Sequence, residues 1–224
     1  MTNTPTITVL MSTYNTEKAL SKRALDSVLE QDYQNFEIII IDDGSDATKE
    51  NFLLQYAIQH QHKITYLRHS NCSQALSINK GVKLSSGKYI TIIDADDEYK
   101  PNHLSMCLQE ISDADLISTQ TETIVDNEED YFVVDKHDNT KVIHVDDCIL
   151  FATLFGKREV FESIDFAGEY GADANFYELA ATKYKVKKVN LRTYIYYRNI
   201  PSSITSKMKI DNTFIALNTA LHEQ

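Results

Sequence analysis

Three aspartates, Asp94, Asp96 and Asp97, follow the short apolar run Tyr89 to Ile93 within the stretch KYITIIDADDEYKP. Two bare carboxylates about 4 Å apart repel by roughly 1 kcal/mol in water and by about 4 kcal/mol at an effective dielectric of 20. Three gathered at one strand end therefore require a cation or full solvation, and a divalent metal is the expected occupant. A second acidic pair, Asp42 and Asp43, ends the run Phe36 to Ile41 in the same way and leads into Gly44 and Ser45. Acids after a strand also serve as turn formers and helix caps, and Pro101 stands where a helix should open. The same design at two strand ends favours a ligand site, because an open α/β sheet binds its ligands at the carboxyl ends of its strands.

The elements that must position these acids alternate along the chain. Ile7 to Met11 reads as a first strand, left through Ser12-Thr13-Tyr14-Asn15, and a helix follows with Leu20, Ala24, Leu25, Val28 and Leu29 at helical spacing. Phe36 to Ile41 is the second strand, Phe52, Leu53, Tyr56 and Ala57 mark a second helix, and Ile64 to Leu67 a third strand. Asn71 to Ser85 is helical and feeds the strand Tyr89 to Ile93, after which Leu104, Cys107, Leu108 and Ile111 form another helical stripe. A mostly parallel sheet with helical crossovers is the expected α/β fold. Beyond Asp113 the pattern becomes mixed. Leu116 to Val125, Tyr131 to Asp135 and Lys141 to Val145 read as strands around a flexible acidic hairpin, 126–139. A short strand near Thr153 to Phe155 follows, then a helix from about Lys157 to Ser163. A helix from Ala172 to Tyr184 has Phe176, Leu179 and Ala180 inward, and strand residues Val186 to Tyr197 close the series.

Composition narrows the function classes. With 224 residues, 42% of them hydrophobic, the chain is long enough to bury one sizeable core. Thirty-three acidic residues against twenty-two basic ones give a formal charge of −11, which argues against nucleic acid or an anionic membrane as the principal partner. The three cysteines, Cys72, Cys107 and Cys148, lack zinc-ligand spacing and are expected to be buried free thiols in a reducing compartment. No apolar stretch approaches the roughly 20 residues of a membrane helix and the start MTNTPT is not a signal sequence, so a cytoplasmic protein is expected, open to peripheral membrane contact. Neither GxxxxGK[ST] nor GxGxxG is present, so no backbone cradle for a diphosphate is evident, and a hard cation held by oxygen ligands is the remaining way to neutralise one.

Taken in order, VLMSTYN (Val9 to Asn15), SVLEQDYQNFEIIIIDDGS (Ser27 to Ser45), NKGVKLSSGKYITIIDADD (Asn79 to Asp97) and YYR (Tyr196 to Arg198) with Ser202 and Ser203 resemble the family 2 glycosyltransferases, over about residues 5–200. The resemblance implies the GT-A fold, an inverting transfer from a nucleotide-diphosphate sugar, with UDP-sugar as the default donor, to a carbohydrate or lipid-linked acceptor hydroxyl, and Mn2+ or Mg2+ as cofactor. It places Thr13, Tyr14, Asn15, Asp43, Asn79 and Asp94 around the donor, Arg198 near the departing diphosphate, and the metal on Asp96, then Asp94 and Asp97. The family's Glu-Asp pair falls on Ala172-Asp173, so Asp173 is the expected base and Glu169 the runner-up. Ala172 departs from the pattern, as does Ser73 where glycine is usual, a change expected to alter the loop near the donor. A single catalytic domain over 1–200 is expected, with a donor half of about 1–112, an acceptor half of about 113–200 and a tail, 201–224, ending in a helix. Bacterial surface polysaccharide or glycolipid synthesis is the implied setting.

Other readings are weaker. A non-catalytic nucleotide-sugar-binding relic of the same fold is the alternative, motivated by Ala172. A phosphoacceptor receiver would place its acids after the first strand, where this chain has Ser12-Thr13-Tyr14, and a nucleotidyltransferase would carry a glycine-rich loop there, whereas no glycine precedes Gly44. Lys183, Lys185, Lys187, Lys188 and Arg192 read as a solvated strand edge, and His144 as packing.

Overall fold

The computed structural model of the protein describes residues 4–46, 51–138, 140–168 and 171–200. The first half runs β1 (Ile7–Thr13), α1 (Lys18–Leu29), β2 (Phe36–Asp42), α2 (Phe52–Gln59), β3 (Ile64–Arg68), α3 (Gln74–Leu84) and β4 (Tyr89–Ile92). These four strands are parallel, with β1 between β2 and β4 and with β3 outside β2. The unbroken apolar runs are explained by burial on both faces. Val9, Met11, Ile38 and Ile40 pack with Ala24, Leu25 and Val28 of α1, while Leu10, Ile39 and Ile41 pack with Ala75, Ile78 and Val82 of α3.

The second half contains β5 (Glu98–Tyr99), α4 (His103–Glu110), β6 (Leu116–Ser118), β7 (Thr121–Ile124), β8 (Phe132–Val134), β9 (Val142–His144), β10 (Leu154–Lys157), α5 (Arg158–Ser163), α6 (Ala172–Ala181), β11 (Val186–Lys188) and β12 (Tyr194–Tyr197). It does not form a separate body. β10 pairs antiparallel with both β4 and β6, and β11 joins β6 in parallel, so the main sheet has the order β11-β6-β10-β4-β1-β2-β3. A three-stranded sheet, β5-β12-β7, stands beside it, and β8 and β9 make the expected antiparallel hairpin.

Two segments that read as single strands divide at corners. Leu116 to Val125 becomes β6 and β7, and Val186 to Tyr197 becomes β11 and β12, each pair shared between the two sheets. Thr119 N–H donates to Thr153 O at 2.9 Å, one step beyond the last β6–β10 pair, and the corner into β7 follows it. A period of two survives such a corner, so alternation in the sequence does not register it. In α6 Phe176 and Ala180 are buried as expected, but Leu179 is 53% exposed, a correction to its inward assignment. His144 packs as expected, stacked on Tyr131. Arg192 is not simply solvated: its guanidinium meets Asp146 at 2.7 and 2.9 Å. The tail, 201–224, lies outside the described residues.

Gly87 lets the chain enter β4 against β1. A Cβ there would lie 2.5 Å from Thr8 N and 2.7 Å from Ile7 C, both backbone atoms that cannot rotate away. Gly87→Ala is expected to lower stability by about 1–3 kcal/mol in urea unfolding, through displacement of β4 from β1.

Candidate active site

The carboxyl end of β4 delivers its acids into different surroundings. Asp97 is 1% exposed and turned inward, with Oδ2 accepting from Tyr194 OH at 2.7 Å and Oδ1 from Tyr197 N at 2.8 Å. Burial, then the charges of Asp94 and Asp96, push its carboxyl well above the usual range. Asp94 is half-buried; its Oδ1 accepts from Gln74 Nε2 at 2.7 Å and its N–H donates to Tyr194 OH at 3.1 Å. Desolvation, the neighbouring Asp96 and, beyond Gln74, the charge of Asp173 raise Asp94 to about 7. The Asp96 carboxylate has, among the described residues, no partner beyond its own backbone, and burial raises it too, with Arg23 opposing. Arg23 holds the turn from α1: its Nη2 donates to Asp96 O and its guanidinium lies 3.8 Å from the centre of the Tyr197 ring.

The expected three-carboxylate cage is therefore corrected to two carboxylates and a buried anchor. Both Asp97 oxygens are engaged by β12, because the antiparallel pairing of β5 with β12 sets Tyr194 opposite Tyr99 and brings its hydroxyl under the turn. Among the described residues, three potential ligand atoms fall within 4.8 Å of one another only at Asp43, His69 and Cys72. Asp94 and Asp96 remain as the hard-oxygen pair. Two carboxylates, one without a protein partner, form a donor set suited to a divalent ion that completes its shell with water and phosphate oxygens.

Asp173 stands at the start of α6, where its Oδ1 accepts from Ala174 N at 2.8 Å and its Oδ2 from Phe151 N at 3.2 Å. Desolvation outweighs these donors and raises it to about 6. Its charge acts on Asp94, so a residue from the second half shares one rim with the β4 acids. Glu169 lies outside the described residues.

The rim on the β1 side is a cleft of about 360 Å³ lined by Thr13, Asn15, Thr16, Ser45, Arg68 and their neighbours. Asn15 adopts φ 54°, the left-handed region that asparagine tolerates, and its N–H donates to Ser45 Oγ at 3.0 Å while its Oδ1 accepts from Asp46 N at 2.8 Å. Thr13 is buried at the cleft wall and Tyr14 is 54% exposed beside it. Asp43 is 4% exposed, and its carboxylate is committed to the following loop, accepting from Cys72 N at 2.8 Å and from Ser73 N and Asn71 Nδ2 at 3.1 Å. Ser73 holds φ 128°, so the chain keeps at serine a backbone that glycine adopts more readily, and Ser73 Oγ caps α3.

One further expectation changes. Asn79 does not line the donor cleft: its amide brackets Phe166, donating to Phe166 O at 2.9 Å and accepting from Phe166 N at 3.0 Å, so it anchors the segment leading to α6. Arg198, expected near the departing diphosphate, is only 2% exposed. Its Nη2 donates to Phe132 O at 3.3 Å, while among the described residues Nε and Nη1 have no hydrogen-bond partner. A buried guanidinium with spare donors is a ready anion acceptor. Gln74, Arg23, Phe151 and Tyr194 were not legible as site residues. Tyr194 lies two residues before YYR, and Gln74 directly follows Ser73.

A mostly parallel sheet whose acids cluster at the carboxyl ends, extended by antiparallel strands that bring a further carboxylate to the same rim, defines a GT-A-type transferase fold. Solved structures agree in fold. Staphylococcus aureus TarS 1-349 in complex with UDP-GlcNAc superposes with a TM-score of 0.68 at 16% identity, covering 90% of this chain and 60% of that one. A mannosyltransferase from Pyrobaculum calidifontis, in complex with GDP-Man and Mn2+, gives 0.68 at 20% identity over 93% and 61%. The model for "Glycosyl transferase family 2" matches residues 8–164, and the chain belongs to that family. The WcaA protein of Escherichia coli K12, named as a colanic acid biosynthesis glycosyl transferase, is 43% identical over 110 residues, 48% of this chain and 38% of WcaA. The chain thus matches well under half the length of that relative. Among the described residues no helix is long and apolar enough to cross a membrane.

The raised carboxyls set a pH dependence. Between the ordinary aspartate value of 3.8 and about 7, native Asp94 holds a proton that the unfolded chain has released. Folding stability therefore declines as pH rises through this window. Urea unfolding across the window is expected to follow that decline, and Asp94→Asn to flatten it; an unchanged slope in the variant would show that Asp94 is not the group responsible.

Proposed function

We propose that this family 2 glycosyltransferase moves a sugar, with inversion, from a nucleoside diphosphate donor to a hydroxyl of a growing bacterial polysaccharide or glycolipid. The observation that carries the reading is the convergence of Asp94, Asp96 and Asp173 on one rim, with two of the three raised to between about 6 and about 7. The TarS and mannosyltransferase complexes, with UDP-GlcNAc and GDP-Man, support a nucleotide-sugar donor, with a UDP-sugar as the first to test. The name of WcaA supports a polysaccharide setting.

Asp94 and Asp96 would hold the divalent cation. Mn2+ or Mg2+ bound there supplies positive charge to the pyrophosphate leaving group. Thr13, Tyr14 and Asn15 line the nucleoside side, and Asp43 shapes that wall by tying down the 71–73 loop. Arg198 offers its spare N–H groups to the developing phosphate charge. Asp173 takes the proton from the acceptor hydroxyl as that oxygen attacks the anomeric carbon. A carboxyl raised to about 6 is a stronger base than an ordinary aspartate and remains ionised at neutral pH.

The acceptor side falls to the β8–β9 hairpin. Lys136 leaves it to meet Asn175 and Glu178 of α6 at 2.8 Å, which places the hairpin over the helix that carries Asp173.

Thermal shifts with a panel of nucleoside diphosphates are expected to show stabilisation by one nucleotide that depends on Mn2+ and disappears in Asp96→Ala. No shift with any nucleotide would refute the donor assignment. Asp173→Asn is expected to lower kcat by about 10²–10⁴-fold while leaving that shift intact. A wild-type protein that binds nucleotide but transfers no sugar to any acceptor would establish the binding-only alternative.

A further inference from the structure

Outside the β4 rim, one cluster has the donor chemistry of a different ion. His69 leaves β3, Cys72 lies in the turn before α3, and Asp43 follows β2; the three come together because the Asp43 carboxylate accepts from Cys72 N at 2.8 Å and so folds the 69–73 loop back on β2. His69 Nδ1 lies 3.4 Å from Asp43 Oδ1, 3.7 Å from Cys72 Sγ and 2.8 Å from Ser70 O. One ring nitrogen thus faces three atoms that carry lone pairs. Such a position suits a cation bound at Nδ1.

The spacing matches a small tetrahedral ion. With Zn–N and Zn–O near 2.0–2.1 Å and Zn–S near 2.3 Å, tetrahedral edges are about 3.4 Å for N to O and about 3.6 Å for N to S. The observed 3.4 and 3.7 Å fit those two edges, and all three ligand atoms lie within 4.8 Å of one another. The other ring nitrogen, Nε2, lies 3.3 Å from Ser77 Oγ, a buried hydroxyl that can accept its proton, and Nδ1 would then exchange its 2.8 Å contact with Ser70 O for the ion. Lys80 Nζ lies 3.4 Å from Cys72 Sγ and opposes added positive charge, which the Asp43 carboxylate offsets. His69 is 14% and Asp43 6% exposed at the side chain, beside the exposed Ser70 and Asn71, so an ion has a short path in.

We infer that Asp43, His69 and Cys72 form a three-ligand site for a thiophilic divalent cation, with Zn2+ as the best fit and water in the fourth position. The site is distinct from the hard-oxygen pair Asp94 and Asp96 and does not rest on the donor assignment. It departs from the expectation that Cys72 is a buried free thiol, because a sequence spacing of three residues between His69 and Cys72 conveys nothing without Asp43, which is 26 positions upstream of His69. An ion there would fasten the 69–73 loop to the end of β2, adding a metal constraint to hydrogen bonds that already exist.

Cobalt provides the test, since Co2+ bound by thiolate in a tetrahedral site gives a sulfur-to-metal charge-transfer band and intense visible bands. Titration of the reduced full chain with Co2+ is expected to give these bands at one equivalent and to lose them when Zn2+ is added. Cys72→Ser and His69→Gln are each expected to weaken Co2+ binding by roughly tenfold or more, and Cys72→Ser to abolish the charge transfer, with unfolding midpoints measured without metal confirming that both variants fold. Asp96→Asn should retain the bands in full. No thiolate band in the wild type, or a band that survives Cys72→Ser or vanishes in Asp96→Asn, would overturn the site. A protein that binds no nucleotide yet keeps the bands would separate this result from failure of the donor reading.

Discussion

A carboxylate removed from water must be hydrogen-bonded or it loses its charge. Asp97, whose burial raises its carboxyl well above the usual range, finds partners in Tyr194 OH and the Tyr197 backbone, and much of the site's geometry depends on the Tyr194 contact. The bond spans 97 positions of sequence and fastens the turn after β4 to β12. Tyr194 OH serves twice, donating to Asp97 and accepting from Asp94 N, so one hydroxyl fixes the backbone at both ends of the acidic turn. Asp94 and Asp96 can then stay half-buried and poorly compensated, since the turn does not depend on them for its shape.

The wall on the other side of β1 is built on the same economy of acids. Asp42 accepts from Tyr66 OH at 2.5 Å and Ser45 N at 2.8 Å, and Asp43 accepts from the 71–73 loop. Of the acids that end β2 and β4, Asp42, Asp43 and Asp97 hold loops in place. Asp94, Asp96 and, from the second half, Asp173 have raised carboxyls, as does Asp97, but Asp97 has both oxygens held by β12.

The second half contributes by completing the sheet. β10 pairs with β4 and carries the chain into α5 and then towards α6, whose first turn holds Asp173. Asn79, on α3, brackets the Phe166 backbone, and Phe166 stacks on Phe176 of α6 at 4.1 Å. A buried amide in the first half thereby positions the helix that bears the proposed base. The neighbouring Ala172 is fully buried, so the position that departs from the family pattern is filled by a small packing residue.

The sequence by itself determined the parallel βα frame, because runs such as FEIIII leave little choice but a strand buried on both faces, and it marked Asp94 and Asp96 by their place at a strand end, and Asp173 only through its match to the family's Glu-Asp pair. It could not divide Leu116 to Val125 or Val186 to Tyr197 between two sheets, since side-chain alternation continues through a corner. Nor could it show that Asp97 and Asn79 are spent on Tyr194 and Phe166, or that Asp43, His69 and Cys72 meet. Those outcomes depend on which hydrogen-bond donors arrive from distant segments, and only the tertiary structure decides what a carboxylate, amide or thiol finds within about 3 Å.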